Sequence, residues 1–242
     1  MTAGVHPTVI RLAYRSVLGR RRGVLLVVLP LVLLAVSVLV RALAGGDIDA
    51  VEAVLYGLGL SVITPLVALV VMTGLLAPEI DDGSAIYLLA KPISRYTIVV
   101  SKLLVASGCV LVFAVLPMFA SGLILAPADP RLGVGYAVGA LAGGIAYCAL
   151  FALLSVLTRH AVVIGLIYLL VWEGILGGLL DGVRWLSITR WAAAVTEDVG
   201  GLTGLSPNLG LGYAIVANLV VIVGGTWLAG RRLRSFNLVG DE

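Results

Sequence analysis

Long apolar runs alternate with short polar breaks along the whole chain. Crossing about 30 Å of hydrocarbon as a helix takes about 20 apolar residues. Six runs meet that length: 24–44, 51–77, 98–126, 133–157, 161–180 and 209–230. None shows the short segments of alternating hydropathy that mark a membrane β-barrel. The pattern predicts an all-α membrane protein with six transmembrane helices. The second and third runs exceed the minimum, which predicts tilt or extension beyond the bilayer. Pro30, Pro65 and Pro117 lie inside runs and predict kinks.

Composition narrows the class. The 242 residues are 61% hydrophobic and 12% charged, against about 45–50% and about 25% in soluble domains. A soluble enzyme or a disordered chain is thereby excluded. Cys109 and Cys148 stand in apolar runs with no CxxC spacing, so small packing residues are expected and no disulfide or metal site. No cofactor and no nucleic-acid partner are expected of this chain. Its arginine-, alanine-, valine- and glycine-rich composition points to a GC-rich prokaryotic genome, and so to a multi-pass protein of the plasma membrane. Arg20–Arg22 followed by an apolar run and Ala42-Leu43-Ala44 superficially matches a cleaved leader. The run is too long for one and Arg41 precedes the cleavage point, so a retained first span is expected.

Charge then sets orientation. With six spans both termini share one side. Placing both in the cytoplasm puts 12 of the 16 Lys and Arg inside and leaves Arg41, Arg131, Arg184 and Arg190 outside. The expected outer loops are short except the third, 181–208, which carries Trp185, Trp191 and Glu197-Asp198. That segment is expected to be re-entrant or to lie at the interface. On the inner side, Ile10, Tyr14 and Val17 share one helical face and Arg11 and Arg15 another. A basic amphipathic arm on the cytoplasmic leaflet follows.

Chemistry of the usual kinds is missing from the pattern. Lys91 and Lys102 follow Ala90 and Ser101, so neither ends a GxxxxGK phosphate loop. His6 and His160 are isolated, and Gly204-Leu205-Ser206-Pro207 does not suit an intramembrane serine protease. The inner loop between spans two and three is more informative. It reads EIDDGSAIYLLAKPISRYTIVVSKLL from Glu79 to Leu104. Gly83 permits a turn, Ser84 can cap a short helix, Lys91-Pro92 stops it, and Ser94 can cap span three. A short surface helix held between two spans can pass a push from a soluble partner to both.

That pattern resembles the permeases of the type-2 ABC exporter class. The matching positions are Glu79, Gly83, Leu88, Leu89, Pro92, Ile93, Ser94, Arg95 and, in the next span, Lys102, and Asp82 is expected to join them in coupling to the ATPase. The resemblance implies a single transmembrane domain over 1–242 and a coupling helix in this loop. It implies docking on two copies of a separate ATP-binding subunit, and pairing with a second permease copy or a homologous permease. ATP hydrolysis would belong to the partner, so this chain is expected to be a transport subunit and not itself an enzyme. Export is the expected direction. One alternative within the class is a mechanical transmitter serving an extracytoplasmic partner, as in nitrous oxide reductase maturation.

One carboxylate remains within a span. Glu173 follows Trp172 in run five, about 12 residues and so about 18 Å from its inner end. A buried carboxylate there should be protonated or paired, with Arg184 or Arg190 as candidate partners. A latch or gate, substrate contact, or the proton carrier of an ion-driven transporter are its possible roles. Gly135, Gly139 and Gly143 predict close helix approach in span four, as do Gly174 and Gly178 in span five. Asn218 in span six is expected to bond a neighbouring helix.

Overall fold

The computed structural model describes residues 20–81, 95–158, 160–177, 181–202, 204–205 and 209–235. Among them every element is helical and none is a strand. Helix α1 is Arg20–Ala44. Helix α2 runs through Ile48–Glu52, a π-helical stretch Ala53–Ile63, and Thr64–Asp81. Helix α3 runs through Arg95–Val110, a π-helical stretch Leu111–Val115, and Leu116–Leu125. Helix α4 is Pro130–Leu157, and α5 joins Ala161–Ile167 to a π-helical stretch Tyr168–Leu176. Then come α6, Asp181–Arg184, α7, Ile188–Gly200, and α8, Leu211–Ser235.

Five of these helices are long and apolar enough to cross a membrane: Gly23–Ala44, Ile48–Leu76, Tyr96–Leu125, Pro130–Leu157 and Leu211–Arg232. Of the run expected at 161–180, residues 161–177 are described. Its helix, Ala161–Leu176, is shorter. Sixteen residues rise at most ~24 Å, less than the hydrocarbon thickness. The expected amphipathic arm (Ile10, Arg11, Tyr14, Arg15, Val17) lies outside the described residues.

Helices α2 and α4 form the centre, with 61% of the apolar window of each buried. Tyr136, Tyr147, Phe151, Leu55, Leu69 and Met72 fill the space around them. Helices α1 and α8 lie at the periphery, with 28% and 17% buried. Their outer faces carry exposed rows such as Val24, Val28, Leu31 on α1 and Val216, Val220, Val223 on α8. Such rows suit lipid as solvent.

Two of the three prolines have a visible consequence. Pro65 and Pro117 each come just after a π-helical stretch. Proline lacks an N–H and its ring crowds the carbonyl one turn back, and a widened turn relieves both. Hydroxyls then reach five residues back in α2: Ser61 Oγ donates to Tyr56 O at 2.9 Å and Thr64 Oγ1 to Gly59 O at 2.9 Å. Elsewhere Ser37, Thr73, Ser107, Ser155, Thr196 and Thr226 donate to the carbonyl four residues back. Where no water is at hand, this satisfies each hydroxyl inside its own helix.

Helix α7 lies antiparallel to α4, inside the bundle and not along its surface. A Cβ on Gly135 would stand 2.7 Å from Gly200 Cα, and one on Gly143 2.8 Å from Ala192 Cβ. Between them, a Cβ on Gly139 would meet Thr196 Oγ1 and stand 2.7 Å from Ala192 O. The glycine stripe of α4 is therefore the bed in which α7 lies. Ile188, Trp191, Ala192, Ala193 and Thr196 are buried there. Gly174, expected to serve likewise, meets only Leu169 O of its own helix.

Candidate functional site

A connected polar group lies within the bundle at the start of α7. Ser187 is its N-cap, and its Oγ accepts from Arg190 N at 3.2 Å. The same hydroxyl donates to Glu173 Oε2 at 2.5 Å. Glu173 Oε1 accepts from Ile188 N and from Tyr168 OH, each at 3.0 Å. The carboxylate thus caps a helix that begins 15 residues further along the chain. It lies where the α7 dipole is positive. Trp172 Nε1 adds a long bond to Leu186 O at 3.4 Å.

Two further bonds fix the depth of this cap. Tyr147, fully buried in α4, shares a 2.7 Å hydrogen bond with Thr189 Oγ1. Tyr147 lies 10 residues before the end of α4 and Glu173 12 residues after the start of α5. By the helical rise these are about 15 and 18 Å from one end of the bundle. The start of α7 is therefore deep inside.

Of the two partners expected for Glu173, Arg190 is described, and the side chain of Arg184 lies outside the described residues. Arg190 turns away: its Nη1 donates to Leu205 O at 2.8 Å and its guanidinium lies 5.7 Å from the Tyr56 ring centre. Glu197 Oε1 accepts from Leu205 N at 2.6 Å, so both polar groups of Leu205 are held by α7 side chains. Gly201, at φ +66°, ends α7 in the left-handed conformation glycine favours. Trp185 O accepts from Trp191 Nε1 at 2.9 Å and from Tyr213 OH at 2.8 Å. Tyr213 also meets the Trp185 ring edge-on at 5.1 Å.

The arrangement fastens helices. Three donors converge on one carboxylate, and among the described residues no group of His, Cys, Asp and Glu is placed to hold a metal. Tyr168, Ser187, Thr189 and Tyr147 were not singled out from sequence. Ser187 ahead of the amphipathic run from Ile188 is an N-cap signal that could have marked the start of α7.

The second feature is the base of the inner loop. Lys102 is 5% exposed, and its Nζ donates to Leu75 O at 2.7 Å. It ties α3 to the last turns of α2, the two helices that flank the loop. Glu79 stands near the end of α2 and Arg95 opens α3. Asp82, Gly83, Leu88, Leu89, Pro92 and Ser94 lie outside the described residues.

Asn218 departs from expectation. It is 5% exposed, and its Nδ2 donates to Ala214 O of its own helix at 2.9 Å. Its Oδ1 is buried with no partner among the described residues.

Comparison with known proteins gives one result at the level of family. No curated protein matches the sequence significantly. The profile described as "ABC-2 family transporter protein" matches residues 20–229, from the start of α1 to the last turns of α8. Covering most of the chain and nearly all of the described helices, that match establishes that the chain belongs to the ABC-2 transporter family and is a membrane-embedded ABC permease.

Proposed function

We propose that this chain is the transmembrane half of an ATP-driven exporter. Family membership supports a permease that works with an ATP-binding subunit. Two such subunits sit beneath two permease copies, and the 78–97 loop is the element they push. The observation that carries the coupling is the Lys102–Leu75 bond, 2.7 Å long and at the base of that loop. A displacement of the loop is thereby shared by α2 and α3 at once. Helix α2 lies in the centre of the bundle, so the push reaches the core.

In the same reading the chain crosses the membrane six times with both ends cytoplasmic. Helix α5 supplies the inner part of the fifth crossing and α7 the outer part, joined at Glu173. The exposed apolar rows of α1, α5 and α8 supply surface for lipid and for the second copy. The low charge inside suits apolar cargo.

Co-expression with the ATPase subunit tests the proposal. A stable complex is expected, with transport that stops when the ATPase cannot hydrolyse ATP. A purified chain that recruits no ATPase and moves cargo down an ion gradient alone would overturn it.

A further inference from the structure

At the ends of α4 and α8 a groove of about 380 Å³ opens to the surface, lined by Leu153, Leu157, Leu228, Arg231 and Arg232. Its floor is firm. Val99, Val156 and Ala229 form a small buried cluster behind it, with Leu153 packed on top. Its mouth is accessible: Leu157 is 53% exposed, Leu228 is 44% exposed, and both arginines are exposed.

The lining is sorted along the helix axis. The exposed apolar row of α8 runs through Val216, Val220 and Val223 and ends at Trp227 and Leu228. The two arginines follow directly. Tryptophan favours the level at which hydrocarbon meets headgroups. Trp227 is about half exposed, and the Arg231 guanidinium lies 5.2 Å from its ring centre. This pair marks the headgroup boundary on α8. The groove straddles that boundary, with Leu153 and Leu228 on the hydrocarbon side, two cations on the other, and Leu157, at the end of α4 next to Val156 that packs on Ala229, level with the cations.

We propose that this groove is a binding site for an anionic phospholipid. One acyl chain lies along Leu153 and Leu228, with Leu157 at its headgroup end. The phosphodiester sits against Arg231 and Arg232, whose planar guanidinium groups suit phosphate oxygens. Among the described residues no acidic side chain lines the groove, so its charge favours a headgroup of net negative charge over a zwitterionic one. The site requires only that the chain be embedded in a membrane. It stands whether or not the chain is an exporter.

The test uses the full chain purified in detergent and analysed intact by native mass spectrometry with added phosphatidylglycerol or phosphatidylcholine. The expected result is retention of phosphatidylglycerol about 25-fold above phosphatidylcholine, since each of the two basic residues near a membrane surface contributes about a fivefold preference. Arg231→Gln with Arg232→Gln should abolish the preference, and Arg231→Lys with Arg232→Lys should keep most of it. Leu157→Trp keeps both charges, fills the groove and should also lower retention. Glycerol phosphate, which offers the headgroup without chains, should not compete. Equal retention of both lipids by the native chain would overturn the proposal. So would a preference untouched by the glutamine and tryptophan variants, or full competition by glycerol phosphate. Circular dichroism and size-exclusion profiles identify any variant that has lost its fold, and the lysine variant then carries the comparison.

Discussion

Glu173 and Ile188 are joined by a hydrogen bond from the Ile188 amide to Oε1 at 3.0 Å, which makes a side chain of α5 the cap of α7. Ser187 and Tyr168 donate to the same carboxylate. Replacing Glu173 by Ala should leave a helix-terminal amide and two hydroxyls without their acceptor. A loss of about 1–3 kcal/mol is expected, because unsatisfied buried polar groups are costly. Glu173→Gln keeps an acceptor oxygen and should lose less. Thermal unfolding of both purified variants checks the order. An Ala variant as stable as the native chain would count against the cap.

The bed of α7 makes a graded prediction. A methyl group at Gly139 would collide with Thr196 Oγ1 and crowd the Ala192 carbonyl, whereas one at Gly143 meets only the Ala192 side chain. Gly139→Ala should therefore destabilise more than Gly143→Ala, by about 1–3 kcal/mol as for overpacked cores. The two melting temperatures decide it, and the reverse order would count against this packing.

Lys102→Met removes the ammonium and keeps the length of the side chain. It should cost about 1.5–3 kcal/mol, the range for a hydrogen bond to a charged group. In the complex it should also weaken the dependence of transport on ATP hydrolysis, because α2 and α3 lose their tie near Leu75. Paired measurements of ATP turnover and cargo efflux separate uncoupling from simple instability. Unchanged coupling with lowered stability would confine Lys102 to a structural role.

The six-crossing arrangement places the end of α7 and the end of α4 on opposite sides. Val199 is 40% exposed and Leu157 is 53% exposed, whereas the native Cys109 and Cys148 are buried. Val199→Cys should react with an impermeant maleimide on intact cells, and Leu157→Cys only after permeabilisation. Labelling of both from one side would require a different topology.

The long helices were legible because hydropathy does not distinguish core from lipid, and both faces of a span are apolar. Five runs match helices to within a few residues. Glu173 stood out as a charge in an apolar run. Its partners did not, because an amide N–H has no mark in the sequence and Ser187 lies 14 residues away. The glycines of α4 announced a close approach without saying to what. The partner, α7, carries Trp191 and Glu197-Asp198, which predict a re-entrant or interfacial segment and leave its alanine face unmarked. Burial of its alanine face is decided by the groove that Gly135, Gly139 and Gly143 leave open.

Helices α5 and α7 meet end to side at one carboxylate and share no helical ladder. An unbroken span can bend only by stretching its own backbone bonds. Here α5 can pivot against α7 by loosening the three bonds on Glu173, at the cost of one α7 amide, that of Ile188, while the other backbone bonds of each helix stay closed. The seam is a joint with a single pin, and its stiffness is set by one side chain.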